Sequence, residues 1–321
     1  MEMIAMEYDA VVVGGGVAGV SAGTMLGRSR RRVAVVDGGQ PRNAASKHLH
    51  GFLSRDGVEP AELLATGREE LLGYGGELLT ERVDGVERGA EHGFVVRLAG
   101  GKALTTRSVL VATGLGDELP GIPGVREQWG ETVLHCPYCH GYEFRDSPLA
   151  VLGGDNRPFT LHQAQLVRQW SSDVVFFPDR VKLTEDEHER LTARGVRVVE
   201  GEVARVLTHE DGVSGVELVD GRVLSRSAVF VGPRFVPHDE LLTRLGCELG
   251  EHGWVATDTT GRTSVDGVWA AGNVVDNPAQ LINAAGAGST AAVAINHYLL
   301  AEDVEQALAD HRASGQAFSR T

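Results

Sequence analysis

Cysteine is scarce in this chain, with three in 321 residues. So few thiols do not build the bridge framework of small secreted domains, and a cytoplasmic protein is expected. No run of about 18 apolar residues occurs, so no membrane span is expected. The opening stretch Met1–Tyr8 carries acidic residues and no basic start, so no signal peptide is expected. Basic residues are outnumbered, 30 Lys and Arg against 44 Asp and Glu, for a net charge of −14. That balance argues against nucleic acid, whose phosphates need clustered Lys and Arg. The one basic cluster, Arg28, Arg30, Arg31 and Arg32, falls where a helix is expected to end. A favourable interaction with the helix dipole accounts for it there.

What the chain has in abundance is glycine, 42 residues, much of it in loops suited to nucleotides. Tyr8–Val13 is a short valine-rich run and reads as a buried strand. Gly14-Gly15-Gly16-Val17-Ala18-Gly19 follows at once, and then a small-residue helix over Val20–Leu26. This is G-x-G-x-x-G in its strand–turn–helix context. Gly14 permits the tight turn, Gly16 lets backbone approach a pyrophosphate, and Gly19 lets helix and strand pack closely. The helix start offers free N–H groups to the phosphates. A second strand over Val33–Val36 ends in Asp37, 21 positions beyond Gly16, where an acid should grip a ribose hydroxyl.

Residues 38–56, beginning Gly38-Gly39-Gln40, read as a long loop over the cofactor, with Arg42 and Asn43 able to meet its pyrophosphate or ribityl chain. His48 and His50 point to one side if extended, either at an active site or simply into solvent. Pro60–Tyr74 reads as an amphipathic helix and Glu77–Leu98 as a small antiparallel insert. Val109–Val111 is a buried strand that runs into Ala112-Thr113-Gly114, a second close approach of backbone to cofactor. A Gly/Pro-rich crossing at 114–120 marks a domain boundary.

Just beyond it lies His135-Cys136-Pro137-Tyr138-Cys139-His140-Gly141. Two cysteines three apart can close a small disulfide ring, and such a pair lowers the pKa of one thiol. Histidine on both sides is the side chain best placed to move protons near neutral pH. The bland alternative is half a zinc site, but Cys247 alone offers no second ligand pair at metal spacing. Cys247 reads as a small buried hydrophobe.

Leu149–Leu152, the loop Gly153-Gly154-Asp155-Asn156-Arg157-Pro158 and a helix over Phe159–Trp170 have the shape of a second nucleotide fold. Asp155 puts a carboxylate where a phosphate would sit, Pro158 replaces a small packing residue, and no arginine cluster follows the next strand, Val174–Phe177. The loop is read as having lost its nucleotide; a divergent working site is the alternative. Val196–Val231 alternates like antiparallel strands. Residues 232–237 are the return crossing, and Gly272-Asn273-Val274 with 278–286 provide another helix start with free N–H groups. The expected organisation is α/β with two Rossmann-like domains: 1–117 with 236–321, and an inserted domain, 118–235.

These landmarks, over nearly the whole chain, resemble the low-molecular-weight thioredoxin-reductase family of flavoproteins. The resemblance implies FAD in the first domain, held by Gly14, Gly16, Ala18 and Gly19, by Asp37, Gly38, Gln40, Arg42 and Asn43, by His50, by Ala112, Thr113 and Gly114, and by Gly272, Asn273, Gln280 and Leu281. It implies a homodimer and a disulfide in which Cys139 faces the flavin and Cys136 exchanges with substrate. Three departures matter: His140 stands where Asp is usual, Asn273 stands in the usual Gly-Asp-Val, and the NADPH loop is broken at Asp155. With Cys-Pro-Tyr-Cys-His-Gly-Tyr-Glu at 136–143, they resemble the dithiol-oxidase branch that closes disulfides in natural products such as gliotoxin and holomycin, in biosynthesis or self-protection. The expected reaction takes a small dithiol and O2 to a cyclic disulfide and hydrogen peroxide, without NADPH, with His140 as base or as a residue that only orients the loop. A reductase using NADPH or ferredoxin, and a flavin-bound redox sensor, are the alternatives.

Overall fold

The computed structural model describes residues 7–90 and 92–318. The opening stretch read against a signal peptide lies outside the described residues up to Met6. No described helix is long and apolar enough to cross a membrane. The chain forms two compact units. One comprises residues up to Arg42, Ala61–Leu115 and the chain from Pro237; the other comprises Asn43–Pro60 and Gly116–Val236.

The first unit is built on strand Tyr8–Val13, all six residues buried. A continuous apolar run suits a parallel strand covered on both faces. It pairs in parallel with Val33–Asp37 on one side and Ala103–Val111 on the other, with Val12 opposite both Val35 and Leu110. The sheet therefore spreads in both directions from this strand, and the crevice at its C-terminal end is the switch point where such folds bind ligands. The first helix, Val17–Arg28, is longer than the small-residue segment suggested. Glu77–Thr80, read as part of an antiparallel insert, instead extends the parallel side beside Val33–Asp37. Antiparallel pairing begins at Val83–Arg88, which pairs with Phe94–Leu98, which pairs in turn with the first part of Ala103–Val111. The last part of that strand accepts Val268–Ala270 in parallel.

Helix Leu281–Phe318 lies against helix Val17–Arg28. The contact is backbone-close: a Cβ on Gly288 would sit 2.0 Å from the Ala18 carbonyl oxygen. Ser21 Oγ donates to the Ala285 carbonyl at 2.9 Å. The basic cluster is used locally. Arg28 lies over the Tyr74 ring, Arg31 pairs with Asp303 and Arg32 with Asp9. Specific partners hold Arg31 and Arg32, whereas only Arg28 stands in the helix's last turn. Cys247 is buried in this unit's core, its thiol 3.5 Å from Thr263 Oγ1 and its pKa pushed up by burial.

The second unit carries a five-stranded parallel sheet in the order Val196–Val198, Val174–Phe177, Leu149–Leu152, Ala228–Val231, Val133–Leu134. A three-stranded antiparallel sheet, Val203–His209, Gly212–Leu218 and Val223–Ser225, packs with it. The alternation expected throughout 196–231 thus holds only for its middle. Ala228–Val231 is buried at all four positions, and its unbroken apolar character places it in the parallel sheet. The segment 43–60, expected with the first domain, groups with the second unit: Lys47 pairs with Glu131, and a Cβ on Gly130 would lie 2.7 Å from Ala45 Cβ. Leu115–Glu118 and Arg234–Pro237, where the chain crosses between units, pair as a two-stranded ribbon.

Candidate active site

In the first unit, the two glycine-bearing stretches meet at the end of strand Tyr8–Val13. Gly14 has φ +114°, and a Cβ there would lie 2.3 Å from the Ala112 carbonyl oxygen. Only glycine combines that backbone angle with that approach. A Cβ on Gly19 would lie 1.9 Å from the Gly14 carbonyl oxygen, so this residue sets the helix-to-turn spacing. Gly16 caps helix Val17–Arg28 without a side-chain hydrogen bond, and no acid occupies the first turn. A Cβ on Gly16 would meet nothing within 4 Å. Open space before an uncapped helix start, with N–H groups pointing into it, fits a pyrophosphate.

Asp37 is almost fully buried beside this turn. Its Oδ1 accepts from Gly39 N at 2.8 Å and its Oδ2 from Arg68 Nη2 at 2.6 Å. A carboxylate has about four acceptor positions, which leaves capacity for a ribose hydroxyl. Two residues of this arrangement escaped the sequence reading. Gly15 is needed because a Cβ there would lie 2.2 Å from the Asp37 carboxyl carbon. Arg68 comes from helix Pro60–Gly73, and no spacing in the sequence pointed to it.

Gly38 and Gln40 are exposed just beyond Asp37, and Gly114, at φ +71°, has open space around its missing Cβ. Thr113 Oγ1 donates to the His238 carbonyl at 2.6 Å. Ala18 is buried with Ala112 and Ala284, and a Cβ on Gly272 would lie 3.0 Å from Ala18 Cβ. Asn273 has a structural part as well. Its Nδ2 donates to the carbonyls of Asp276, Asn277 and Ala279 at 2.9, 3.3 and 3.0 Å, while its Oδ1 accepts from Arg42 Nη1 at 3.4 Å. It thereby shapes the loop that leads through Gln280 into helix Leu281–Phe318, whose first turn uses the Gln280 carbonyl. Asn43 and His50 lie in the second unit.

In the second unit, Cys136 and Cys139 form a disulfide with Cα atoms 5.3 Å apart. Cys136 precedes the single helical turn Pro137–His140, and Cys139 N donates back to its carbonyl at 3.1 Å. Pro at the first helical position costs no hydrogen bond. Trp170 backs the turn: a Cβ on Gly141 would lie 2.8 Å from its indole, and Tyr138 stands edge-on to it at 5.7 Å. Tyr138 is 63% exposed. The preceding histidine, His135, stacks on Trp129 and meets the edge of Phe235. Gln163, fully buried, donates from Nε2 to the carbonyls of His135 and Val231 at 2.7 and 3.2 Å, which ties the entry of the disulfide loop to the sheet.

His140 is enclosed differently. Its Nε2 lies 3.1 Å from Ser46 Oγ, and its Nδ1 is buried with no hydrogen-bond partner among the described residues. Burial pushes its pKa below the ordinary histidine value, with a smaller push down from His50 and an opposing pull from Glu143. The imidazole is thereby biased toward its neutral, proton-accepting form. His50 bridges two acids, with Nδ1 3.3 Å from both Asp56 oxygens and Nε2 3.5 Å from Glu143 Oε1. Ser46 was not singled out from the sequence, where a serine in a polar loop carries no distinguishing signal.

The second nucleotide-type loop is filled by its own side chains. Asn156 Oδ1 accepts from Phe159 N at 3.3 Å and so caps helix Arg157–Val167. Arg157 pairs with Glu187 and donates to the Lys182 carbonyl at 2.8 Å. Asp155 stands exposed at the tip. A helix start with its N–H capped and its nearest cation already paired is a poor phosphate site.

Comparison with known proteins agrees with this architecture. The family described as pyridine nucleotide-disulphide oxidoreductase matches residues 8–288. The chain is 31% identical over 313 residues to thioredoxin reductase sirT of Leptosphaeria maculans, covering 92% of this chain and 96% of that one. A protein of Arthroderma benhamiae named "Probable thioredoxin reductase" is 40% identical over 153 residues, and that match spans 46% of this chain and 38% of its relative. The crystal structure of HlmI superposes with a TM-score of 0.93 at 53% identity, covering 98% of this chain and 99% of that one.

Proposed function

The chain belongs to the pyridine nucleotide-disulphide oxidoreductase family and is a disulfide-handling oxidoreductase, and within that family we propose that it is an FAD-dependent dithiol oxidase. Its substrate would be a small dithiol natural product of the holomycin type, closed to a cyclic disulfide with O2 as acceptor and hydrogen peroxide as by-product. The observation that carries this direction is the second loop, where Asn156 caps the Phe159 N–H, Arg157 pairs with Glu187 and Asp155 adds negative charge. The likeness to HlmI, at 53% identity, supports the same reading.

The pyrophosphate of FAD would be held by the open helix start at Gly16 and its ribose by Asp37. When bound, FAD supplies a two-electron acceptor for the reduced cysteine pair and a route for those electrons to O2. The remaining chemistry belongs to the chain. His140 takes a proton from one substrate thiol. The thiolate attacks Cys136 Sγ, a substrate–Cys136 bond forms, and the Cys136–Cys139 bond breaks with its electron pair left on Cys139. The second substrate thiol, losing its proton to solvent, attacks the substrate sulfur of this mixed disulfide. The cyclic disulfide leaves, and Cys136 departs as thiolate. Exposed Tyr138, edge-on to Trp170 and lying between the two cysteines in the chain, offers an aromatic surface for a flat heterocycle.

A homodimer is part of this reading. Val293, Leu300, Val304 and Leu308 recur at helical spacing on Leu281–Phe318 and leave apolar side chains at the surface. The name borne by sirT favours a second reading, reduction of a protein disulfide at the expense of NADPH.

Anaerobic flavin bleaching separates the two. Reduced holomycin or dithiothreitol is expected to bleach the holoprotein, NADPH to leave it coloured, and air to restore the colour with release of peroxide. Rapid bleaching by NADPH would establish the reductase direction instead.

A further inference from the structure

The Ser46 hydroxyl has one hydrogen and two neighbours that need accounting for. It lies 2.7 Å from the His48 carbonyl oxygen and 3.1 Å from His140 Nε2. A carbonyl oxygen can only accept, so at 2.7 Å the hydroxyl hydrogen must be directed to His48. The oxygen of Ser46 then faces His140 with its lone pairs, and Nε2 must carry the hydrogen that lies between them. A neutral imidazole has one N–H. The other nitrogen, Nδ1, is therefore the bare one, and it is buried with no partner among the described residues.

We propose that Ser46 is a positioning residue that fixes His140 as its Nε2–H tautomer, making Nδ1 the atom that receives the substrate proton. The inference rests on the dithiol-oxidase reading, and it names the base atom and the residue that selects it. In the step concerned, the substrate S–H bond breaks, an Nδ1–H bond forms, and the sulfur keeps the electron pair with which it attacks Cys136. Nε2–H stays on Ser46 throughout, so the ring does not turn during the transfer. The groups that act on the ring charge are His50, which opposes the imidazolium, and Glu143, which favours it; Asp56 and Glu143 both face His50. Burial keeps water from Nδ1, so the lone pair is reserved for a donor that enters the site, and the side chains over it must part when a thiol arrives.

The tautomer is directly observable. In long-range 1H–15N spectra of oxidised holoprotein labelled at histidine, with His140 assigned by its loss in H140Q, Nε2 is expected to show the protonated signature and Nδ1 the bare one near pH 7. Ser46→Ala is expected to abolish that fixed pattern in favour of averaged shifts, and Ser46→Thr, which keeps the hydroxyl, to preserve it. In anaerobic bleaching by dithiothreitol, H140Q is expected to slow flavin reduction by roughly 100-fold or more, S46A by about 10-fold, a part of what loss of the base itself costs, and S46T by little. A bare Nε2, or an unchanged tautomer and rate in S46A, would overturn the role of Ser46 while a slow H140Q left the base reading standing. A wild-type rate in H140Q would instead remove His140 as base, whatever Ser46 does.

Discussion

Arg157 pairs with Glu187 at the start of the helix where a second nucleotide would lay its phosphates. The same carboxylate accepts the Thr184 N–H at 2.8 Å and completes a capping box on helix Glu185–Ala193. One acid therefore serves two helix starts, and both tie Arg157 into the chain's own structure. NADPH at millimolar concentration is expected to produce no saturable binding signal by calorimetry. The double change Asp155→Gly with Glu187→Gln, which removes two negative charges and releases Arg157, is expected to bring weak binding into range. Tight binding to the unaltered protein would refute this account of the loop.

The two cysteines are expected to fail differently. Cys136→Ser removes the sulfur assigned to exchange, and Cys139→Ser removes the one that keeps the electron pair. Both are expected to lower dithiol turnover by about 1,000-fold or more, since a nucleophilic relay loses nearly all its rate when one member is missing. Mass spectrometry after incubation with a cyclic disulfide is expected to find an adduct on Cys136 in the Cys139→Ser protein, and none in the Cys136→Ser protein. An adduct on Cys139 would reverse the assignment.

Asn273 tests whether a residue that departs from the family pattern has its own structural reason. Its amide donates to three carbonyls. Aspartate, the residue usual at this position, cannot donate and would face those oxygens with negative charge. Asn273→Asp is expected to cost about 1 kcal/mol in urea denaturation, the scale of the net loss of a hydrogen bond, since these bonds are part-buried or exposed. Unchanged stability would mean that the loop holds its shape without the amide.

Burial of His140 predicts a pH dependence of stability. Its folded pKa is depressed, so the unfolded chain binds the proton more readily. The contribution is complete above the ordinary histidine value of about 6.5 and is lost as pH falls through that value toward the folded pKa. Denaturation midpoints are expected to fall between about pH 7 and pH 5, and H140Q is expected to show a shallower fall. Parallel curves for the two proteins would remove His140 from the acid limb.

The alternation of short apolar runs and glycine turns was enough to place Tyr8–Val13, Leu149–Leu152 and Val174–Phe177, because a strand buried on both faces needs an unbroken apolar run. Glycine spacing singled out Gly14 and Gly19; the Gly14 carbonyl, close by in the chain, demands Gly19, whereas the backbone that demands Gly14 is that of Ala112, far along the chain. Periodicity could not distinguish parallel from antiparallel neighbours, so Glu77–Thr80 and Ala228–Val231 went to the wrong kind of pairing.

What the sequence by itself determined is therefore the kind of chemistry: a disulfide from two cysteines three apart, a histidine beside it, and a glycine turn for phosphate. What only the tertiary structure decided is the state of those groups. The grouping of 43–60 with the second unit brings Ser46 to His140 and His50 to Glu143. Helix packing brings Arg68 to Asp37. A proton's place on an imidazole depends on contacts within about 3 Å, and those partners lie 94 positions away along the chain for His140 and 31 for Asp37. Local spacing holds no record of such distances; the fold does.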